Sequence, residues 1–448
     1  MPSLSAQVVC RSFHVNTGDD ALPLLKLLSA RSDPDRSVEP AVREILADVA
    51  RRKDEALVDY TRRFDCPDFA VSRIRVLPQE INAALNAVSR EDQEAISLAA
   101  ENIRAFHVEQ KERSFFQSRP DGSVLGQMVL PVDRAGLYVP GGRSGETPLI
   151  SSLLMNAIPA LVAGVGEIAV LSPPRKDGSL NPHILAASRL LGLEEVYRAG
   201  SAWAIAALAY GTPTIPRVDL IAGPGNLHVA TAKRLLQGTV GIDMVAGPSE
   251  VLVLADDSAK PAWIAADMLS QAEHDPLAAA VCITDSEQTA AAVLMELARQ
   301  METLPRSAIA RQSLKDWGAL VIVPDLSQGI AMANRIAPEH LELCVEDAWT
   351  LLGSVRHAGA VFLGAWSPEA LGDYAAGPNH VLPTLGAARF SSGLSVHTFC
   401  RRINLIAASP AFTAKTTAAV ARLARLEGLE AHARAIEIRR QQYESVCK

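Results

Sequence analysis

Val218-Asp-Leu-Ile-Ala-Gly-Pro-Gly-Asn226, followed by Leu227–Leu236, reads as a strand, a glycine turn and a helix. The same texture recurs on both sides of it. Short β-rich runs stand at Ala135–Val139, Glu167–Leu171, Val251–Ala255, Ala279–Thr284, Ala319–Val323 and Ala360–Leu363, and helical stretches separate most of them. Strand–helix alternation implies βαβ units around a largely parallel sheet, so the fold class is α/β. Two such runs can be distinguished, residues 119–245 and 246–388, joined near Gly247-Pro248. Residues 1–118 are charged and carry helical periodicity, as in Val42–Phe64 and Arg90–Glu112. They predict a helical N-terminal layer with its polar face in water, packed on the second α/β run. Residues 389–448 predict a helical C-terminal tail, with one apolar stripe on each of Ala411–Leu426 and Leu429–Glu444. Such a tail has too little core to stand alone and must pack on this chain or on a partner subunit.

A chain of 448 residues exceeds one small core, and two to four domains are expected. The 43 basic and 50 acidic residues leave a net charge of −7 with no basic face, which argues against nucleic acid as a partner. The six cysteines lie far apart with no C-x-x-C pair. They read as small buried hydrophobes in a reducing compartment. The most apolar window, Leu153–Leu171, is broken by Asn156, Pro159, Gly164, Gly166 and Glu167. It predicts a buried helix followed by a strand, not a membrane span. With no signal-peptide pattern at the start, the expected location is cytoplasmic.

Ser270-Gln-Ala-Glu-His274 closes the apolar helical run Trp263–Leu269. On one helix Gln271 and His274 share a face, with Cβ atoms ~5–6 Å apart, so both reach one metal ion. Further ligands are offered by Ala337-Pro-Glu-His340, Gly372-Asp-Tyr-Ala-Ala-Gly-Pro-Asn-His380 and Glu427-Gly-Leu-Glu-Ala-His432. Glu339 and His340 set a carboxylate beside an imidazole at the start of an expected helix over 338–343, a pairing that can divide acid–base work. The glycine-bounded loop carries Asp373, Asn379 and His380. Gly136-Leu-Tyr-Val-Pro-Gly-Gly142 runs from a strand into a turn at the carboxyl edge of a sheet, where ligands of open α/β folds bind. Gly247-Pro-Ser-Glu250 is a tight turn that places Ser249 at the start of a strand. The Gly223-Pro-Gly-Asn226 turn leaves N–H groups suited to an anion at a helix start, unless Asn226 simply caps that helix. Gly164-Val-Gly-Glu-Ile-Ala169 matches a dinucleotide fingerprint on paper but precedes a strand, so it is set aside. Together these residues suit a zinc site with neutral and anionic ligands beside a nucleotide pocket.

In this order the segments resemble the histidinol dehydrogenase family over roughly residues 30–440. The longest likenesses are Gly241-Ile-Asp-Met-Val-Ala-Gly-Pro-Ser-Glu-Val-Leu-Val-Leu-Ala-Asp256 and Gly377-Pro-Asn-His-Val-Leu-Pro383. The resemblance implies a zinc- and NAD-dependent homodimer that oxidises L-histidinol to L-histidine through the aldehyde. It implies two incomplete Rossmann-like domains with the helical tail exchanged between subunits. Zinc would be held by Gln271, His274 and Asp373, with His432 supplying a ligand across the dimer interface. Glu339 would activate water, and His340 would serve as acid–base group in both hydride steps. Ser249, His380 and Glu427 match substrate-contacting positions, together with His340 and the four zinc ligands. Tyr138 and Asn226 match NAD-contacting positions. Two departures fall on the expected cofactor side. Trp203 stands where most of the family has an NAD-contacting glutamine, and an indole cannot accept that hydrogen bond. The loop Arg143-Ser-Gly-Glu-Thr147 is also longer than usual. One rival is a paralogue acting on another small alcohol, such as sulfopropanediol; retention of Glu427 and of Arg389–Val396 weighs against it. The other is a non-catalytic zinc-binding homologue, against which the intact Glu339–His340 pair speaks.

Overall fold

The computed structural model describes residues 9–17, 19–32, 36–142 and 147–446. Its strands are β1 (Arg11–His14), β2 (Phe115–Ser118), β3 (Val124–Pro131), β4 (Arg134–Tyr138), β5 (Glu167–Ser172), β6 (Glu195–Arg198) and β7 (Leu220–Ala222). There follow β8 (Gly241–Ile242), β9 (Glu250–Ala255), β10 (Ala279–Thr284), β11 (Ala319–Ile322), β12 (His340–Cys344), β13 (Ala360–Leu363) and β14 (Cys400–Ala407). The chain divides into two compact units, one of residues up to Gln110 with Asp133–Phe399, the other of Lys111–Val132 with the chain from Cys400 onward.

The first unit holds two parallel sheets, ordered β6-β5-β4-β7-β8 and β1-β11-β10-β9-β12-β13. Helices cover both faces, which is why β9 and β10 are buried at every position and read as continuous apolar runs. The fold is α/β with a helical N-terminal region and helices at the C-terminal end, as expected. The apolar window resolves into the helix Ile150–Ala163 and β5. Among the described residues no helix is long and apolar enough to cross a membrane.

Three local expectations need correction. The helices Glu39–Arg52 and Asp54–Phe64 pack on the first sheet, where Val42, Ile45, Leu57 and Val58 share a core with Tyr138, Leu171 and Trp203. β1, the helix Leu22–Ser29 and the turn that follows it join the second sheet. An apolar stripe shows that a helix is covered, not by which sheet. The stretch 338–343 is no helix: the preceding helix Leu326–Ile336 ends at Ala337, which takes a left-handed φ of 54°, and the chain enters β12. Leu341 and Leu343 point to one core and Cys344 to the other, a period of two that five residues are too few to reveal. The helix carrying Gln271 stops at Ala272, and His274 follows in a turn whose N–H donates to the Gln271 carbonyl at 3.2 Å. Gln271 is fully buried and His274 exposed.

The turn after β7 shows why the chain requires glycine there. Gly223 has a φ of 122°, and a Cβ on it would meet the Tyr138 carbonyl oxygen at 2.1 Å. A buried ion pair clamps this turn. Lys233 Nζ donates to the Gly223 carbonyl at 2.8 Å and lies 2.5 Å from Asp243 Oδ1, while Asp243 Oδ2 accepts the Gly223 N–H at 2.9 Å. Lys233→Met leaves the Asp243 carboxylate buried without its counter-charge, and a stability loss of about 3–5 kcal/mol is expected. Denaturant titration reads this directly; a loss below about 1 kcal/mol would contradict a buried pair.

The second unit is built on an antiparallel sheet, β14-β3-β2, with β14 paired to β3 from Cys400 opposite Pro131 to Ala407 opposite Val124. The helices Pro410–Leu426 and Glu430–Val446 pack together through a small core of Ala421, Ala424 and Ala433. The sequence reading of the tail contained its helices but not β14, nor its grouping with residues 111–132.

Candidate active site

The site begins where β9 and β12 enter the second sheet. Glu250 is the first residue of β9, His340 the first of β12, and in the parallel register His340 lies opposite Val251 and Ala360. Glu250 presents its main chain to both sequence-identified acid–base candidates. Its N–H donates to Glu339 Oε2 at 2.9 Å, and its carbonyl oxygen accepts from His340 Nδ1 at 3.0 Å. Because a carbonyl cannot donate, Nδ1 of the neutral ring carries the hydrogen and Nε2 keeps the lone pair. His340 Nε2 is buried, has no hydrogen-bond partner and lies 3.9 Å from Asp373 Oδ1. Burial pushes the His340 imidazole down to about 4, against the opposing pull of Asp373. The ring is thus neutral at physiological pH, as a base must be. Burial drives the Glu339 carboxyl well above its ordinary range, while hydrogen bonds from the Glu250 N–H and the Ser249 side chain work in the opposite direction.

A cavity of about 250 Å³ opens against His340, lined also by Phe362, Gly372, Asp373 and His380 among others. It is smaller than the ~300–1,000 Å³ of drug-sized ligand pockets, which fits a small metabolite. His380 Nε2 is also buried without a partner. Ligand atoms of His274, Glu369 and Asp373 lie within 4.8 Å of one another and could hold a metal ion. Gln271 joins them indirectly. Oriented to satisfy both neighbours, its amide nitrogen donates to Glu369 Oε1 at 2.5 Å and its oxygen lies 2.6 Å from the Glu250 nitrogen, sharing that N–H with Glu339 Oε2. An amide oxygen has two lone pairs, so one remains for a cation.

Sequence reasoning missed Glu369, which is 2% exposed, with Oε2 buried and unpartnered. It also assigned no role to Glu250 or Glu342. The available signal was a carboxylate inside an apolar strand run, as in Glu250-Val-Leu-Val-Leu-Ala255 and His340-Leu-Glu-Leu-Cys344; acids in such runs are buried and need a partner. Behind the site, Asp267, Glu342 and Cys344 form a second cluster. Burial raises Asp267 to about 6 and Glu342 well above its ordinary value, the neighbouring Asp267 carboxyl adding to the rise at Glu342.

The other sequence-identified residues fall elsewhere. Tyr138 ends β4 at the carboxyl edge of the first sheet, buried, its hydroxyl accepting the Ser201 N–H at 3.0 Å. Asn226 caps the helix Leu227–Leu236 through bonds from the His228 and Val229 N–H groups, both at 3.1 Å. Trp203 is 4% exposed and stacks on Tyr60 and Phe64, centroids 5.8 and 5.5 Å away, with its Nε1 unpartnered. The stretch 143–146 of the longer loop lies outside the described residues. Glu427 and His432 stand in the second unit, both exposed, Glu427 at the end of the helix Pro410–Leu426 and His432 in the first turn of the helix Glu430–Val446.

A family model described as histidinol dehydrogenase matches residues 28–440. Histidinol dehydrogenase of Oleidesulfovibrio alaskensis is 61% identical over 430 residues, covering 96% of this chain and 99% of its own. That of Nitratidesulfovibrio vulgaris is 62% identical over 421 residues, with coverage of 94% and 97%. The solved structure of histidinol dehydrogenase from Elizabethkingia anophelis matches with a TM-score of 0.91 at 36% identity, covering 97% of this chain and 99% of that one.

Proposed function

Because the chain belongs to the histidinol dehydrogenase family, oxidoreductases of histidine biosynthesis, we propose that it carries L-histidinol to L-histidine in two hydride transfers through the aldehyde, using zinc and NAD. The observation that carries this reading is the fixed His340 tautomer, whose free Nε2 lone pair meets the cavity beside Asp373. Donors of the kind at Gln271, His274 and Asp373, nitrogen and oxygen with no thiolate, fit zinc. His432 completes the set from a partner subunit, which makes the working enzyme a homodimer. When bound, zinc supplies a Lewis acid that anchors substrate, and NAD supplies the hydride acceptor.

The chain's own residues do the rest. His340 takes the carbinol proton on Nε2 as the hydride leaves, and returns it to solvent before the second step. Glu339 takes a proton from the water that adds to the aldehyde, since only the hydrate has a second hydride to give. Ser249, His380 and Glu427 hold the substrate, and Tyr138 and Asn226 hold NAD at the carboxyl edge of the first sheet. The enzyme works in the cytoplasm. Zinc-loaded protein is expected to yield two NADH per L-histidinol, and little from other amino alcohols or diols. No NADH from any of these, with zinc still bound, would sink the reading. His432→Ala is expected to weaken zinc binding by at least about tenfold, a loss of the size seen even for outer-shell changes. Unchanged zinc content after dialysis would remove His432 from the ligand set.

A further inference from the structure

We infer that Arg31 is a positioning residue for the reaction: from near the start of the chain it clamps Glu250, whose main-chain N–H and C=O hold Glu339 and His340 respectively. The inference rests on the acid–base roles proposed above. Arg31 sits in a short 3₁₀ turn, Ala30–Ser32, and its side chain is fully buried. Its guanidinium spends its donors on the strand entrances. Nη1 donates to Glu250 Oε1 at 2.8 Å, Nη2 to the Pro248 and Ser249 carbonyls, both at 3.0 Å, and Nε to the Leu277 carbonyl at 2.8 Å. Leu277 lies just before β10 and Pro248-Ser249 just before β9, so one planar group ties the two entrances together. The Leu385 N–H gives Glu250 Oε1 a further bond at 3.2 Å.

The consequence for chemistry lies in the Glu250 main chain. Its N–H is the donor on Glu339 Oε2, and its carbonyl is the acceptor that fixes the His340 tautomer. The N–H belongs to the Ser249–Glu250 peptide, whose carbonyl accepts from Arg31 Nη2, and the C=O to the Glu250–Val251 peptide, so a backbone shift at Glu250 that turns both units would release both groups. Side-chain packing alone could be met by an apolar residue, since a buried charge is costly unless fully paired. What a guanidinium adds is a rigid fork of directed bonds on Pro248, Ser249 and Glu250. No such fork is needed to close the sheet, whose ladder already pairs Glu250 with Ala279.

The test is a double-mutant cycle on the alcohol half-reaction, with zinc content measured for every variant. Arg31→Met is expected to lower kcat for the alcohol and the aldehyde half-reactions alike, by roughly ten- to a hundred-fold, with the KM for NAD and the zinc content within about twofold of the unaltered enzyme. In a His340→Asn background the same change should cost the alcohol step less than about threefold, because Arg31 acts on that step through His340. Losses that multiply in the double variant, or an Arg31→Met enzyme with unaltered kcat, would overturn the inference. If Arg31→Met does not fold, Arg31→Lys carries the same cycle with its charge kept; it should show a smaller loss, again absent in the His340→Asn background. Oxidation of L-histidinol by the unaltered enzyme separates the two layers. Its absence removes the acid–base reading and the role of Arg31 with it, whereas turnover with multiplying losses removes Arg31 alone.

Discussion

His340→Asn is expected to slow both hydride steps by about a hundred- to ten-thousand-fold, the range that a positioned acid–base group contributes. Asparagine keeps a donor for the Glu250 carbonyl, so the bond that now spans 3.0 Å can be retained and the strand entrance held. What is lost is the Nε2 lone pair, the buried ring nitrogen with no partner in the chain. The effect should therefore fall on kcat for the alcohol and the aldehyde alike, with zinc content and thermal stability close to those of the unaltered protein. Pre-steady-state NADH formation from each substrate checks it. Either half-reaction running within tenfold of the unaltered rate would exclude His340 as the shared base.

Glu339→Gln separates the steps. The amide still accepts the Glu250 N–H, now 2.9 Å from Oε2, but it cannot take a proton from water. Alcohol oxidation should persist, while aldehyde oxidation falls by about a hundred- to ten-thousand-fold. The variant would release close to one NADH per L-histidinol, and free or trapped aldehyde would accumulate. The carboxyl's burial sharpens the expectation: a group raised well above its ordinary range is a stronger base once ionised. Equal loss of both steps would count against a water-activating role and point to disturbance of His340 instead, through their common contact with Glu250.

The two substitutions probe neighbours in sequence whose geometry the sequence did not disclose. Glu339 and His340 were legible as a pair because an acid beside an imidazole is a recognisable combination. Their setting was misread as a helix start, since His-Leu-Glu-Leu-Cys is too short to separate a period of two from one of 3.6. Asp373, on its glycine-bounded loop, was legible too. Glu369 was not, because nothing in Ser367-Pro-Glu369 says that the carboxyl is buried against Gln271. Gln271 and His274 were found for a helical spacing; the helix ends at Ala272, and the turn after it keeps the His274 N–H on the Gln271 carbonyl.

The alternation of apolar strands and helices is a local pattern, and by itself it determined the α/β class, the positions of the central strands and the segments that carry the chemistry. Which edge of which sheet they meet on was a tertiary decision. Tyr138 and the Gly223 turn stand at the carboxyl edge of the first sheet, where α/β ligands are expected. Glu250 and His340 stand instead at the entrances of β9 and β12, beside the end of the helix Pro261–Ala272 that returns between β9 and β10. Hydrophobic periodicity records that a face is covered, not what covers it. The pairing of Arg31 with Glu250, 219 residues apart, and of Glu250 with the two residues it holds, exists only once the sheet has closed.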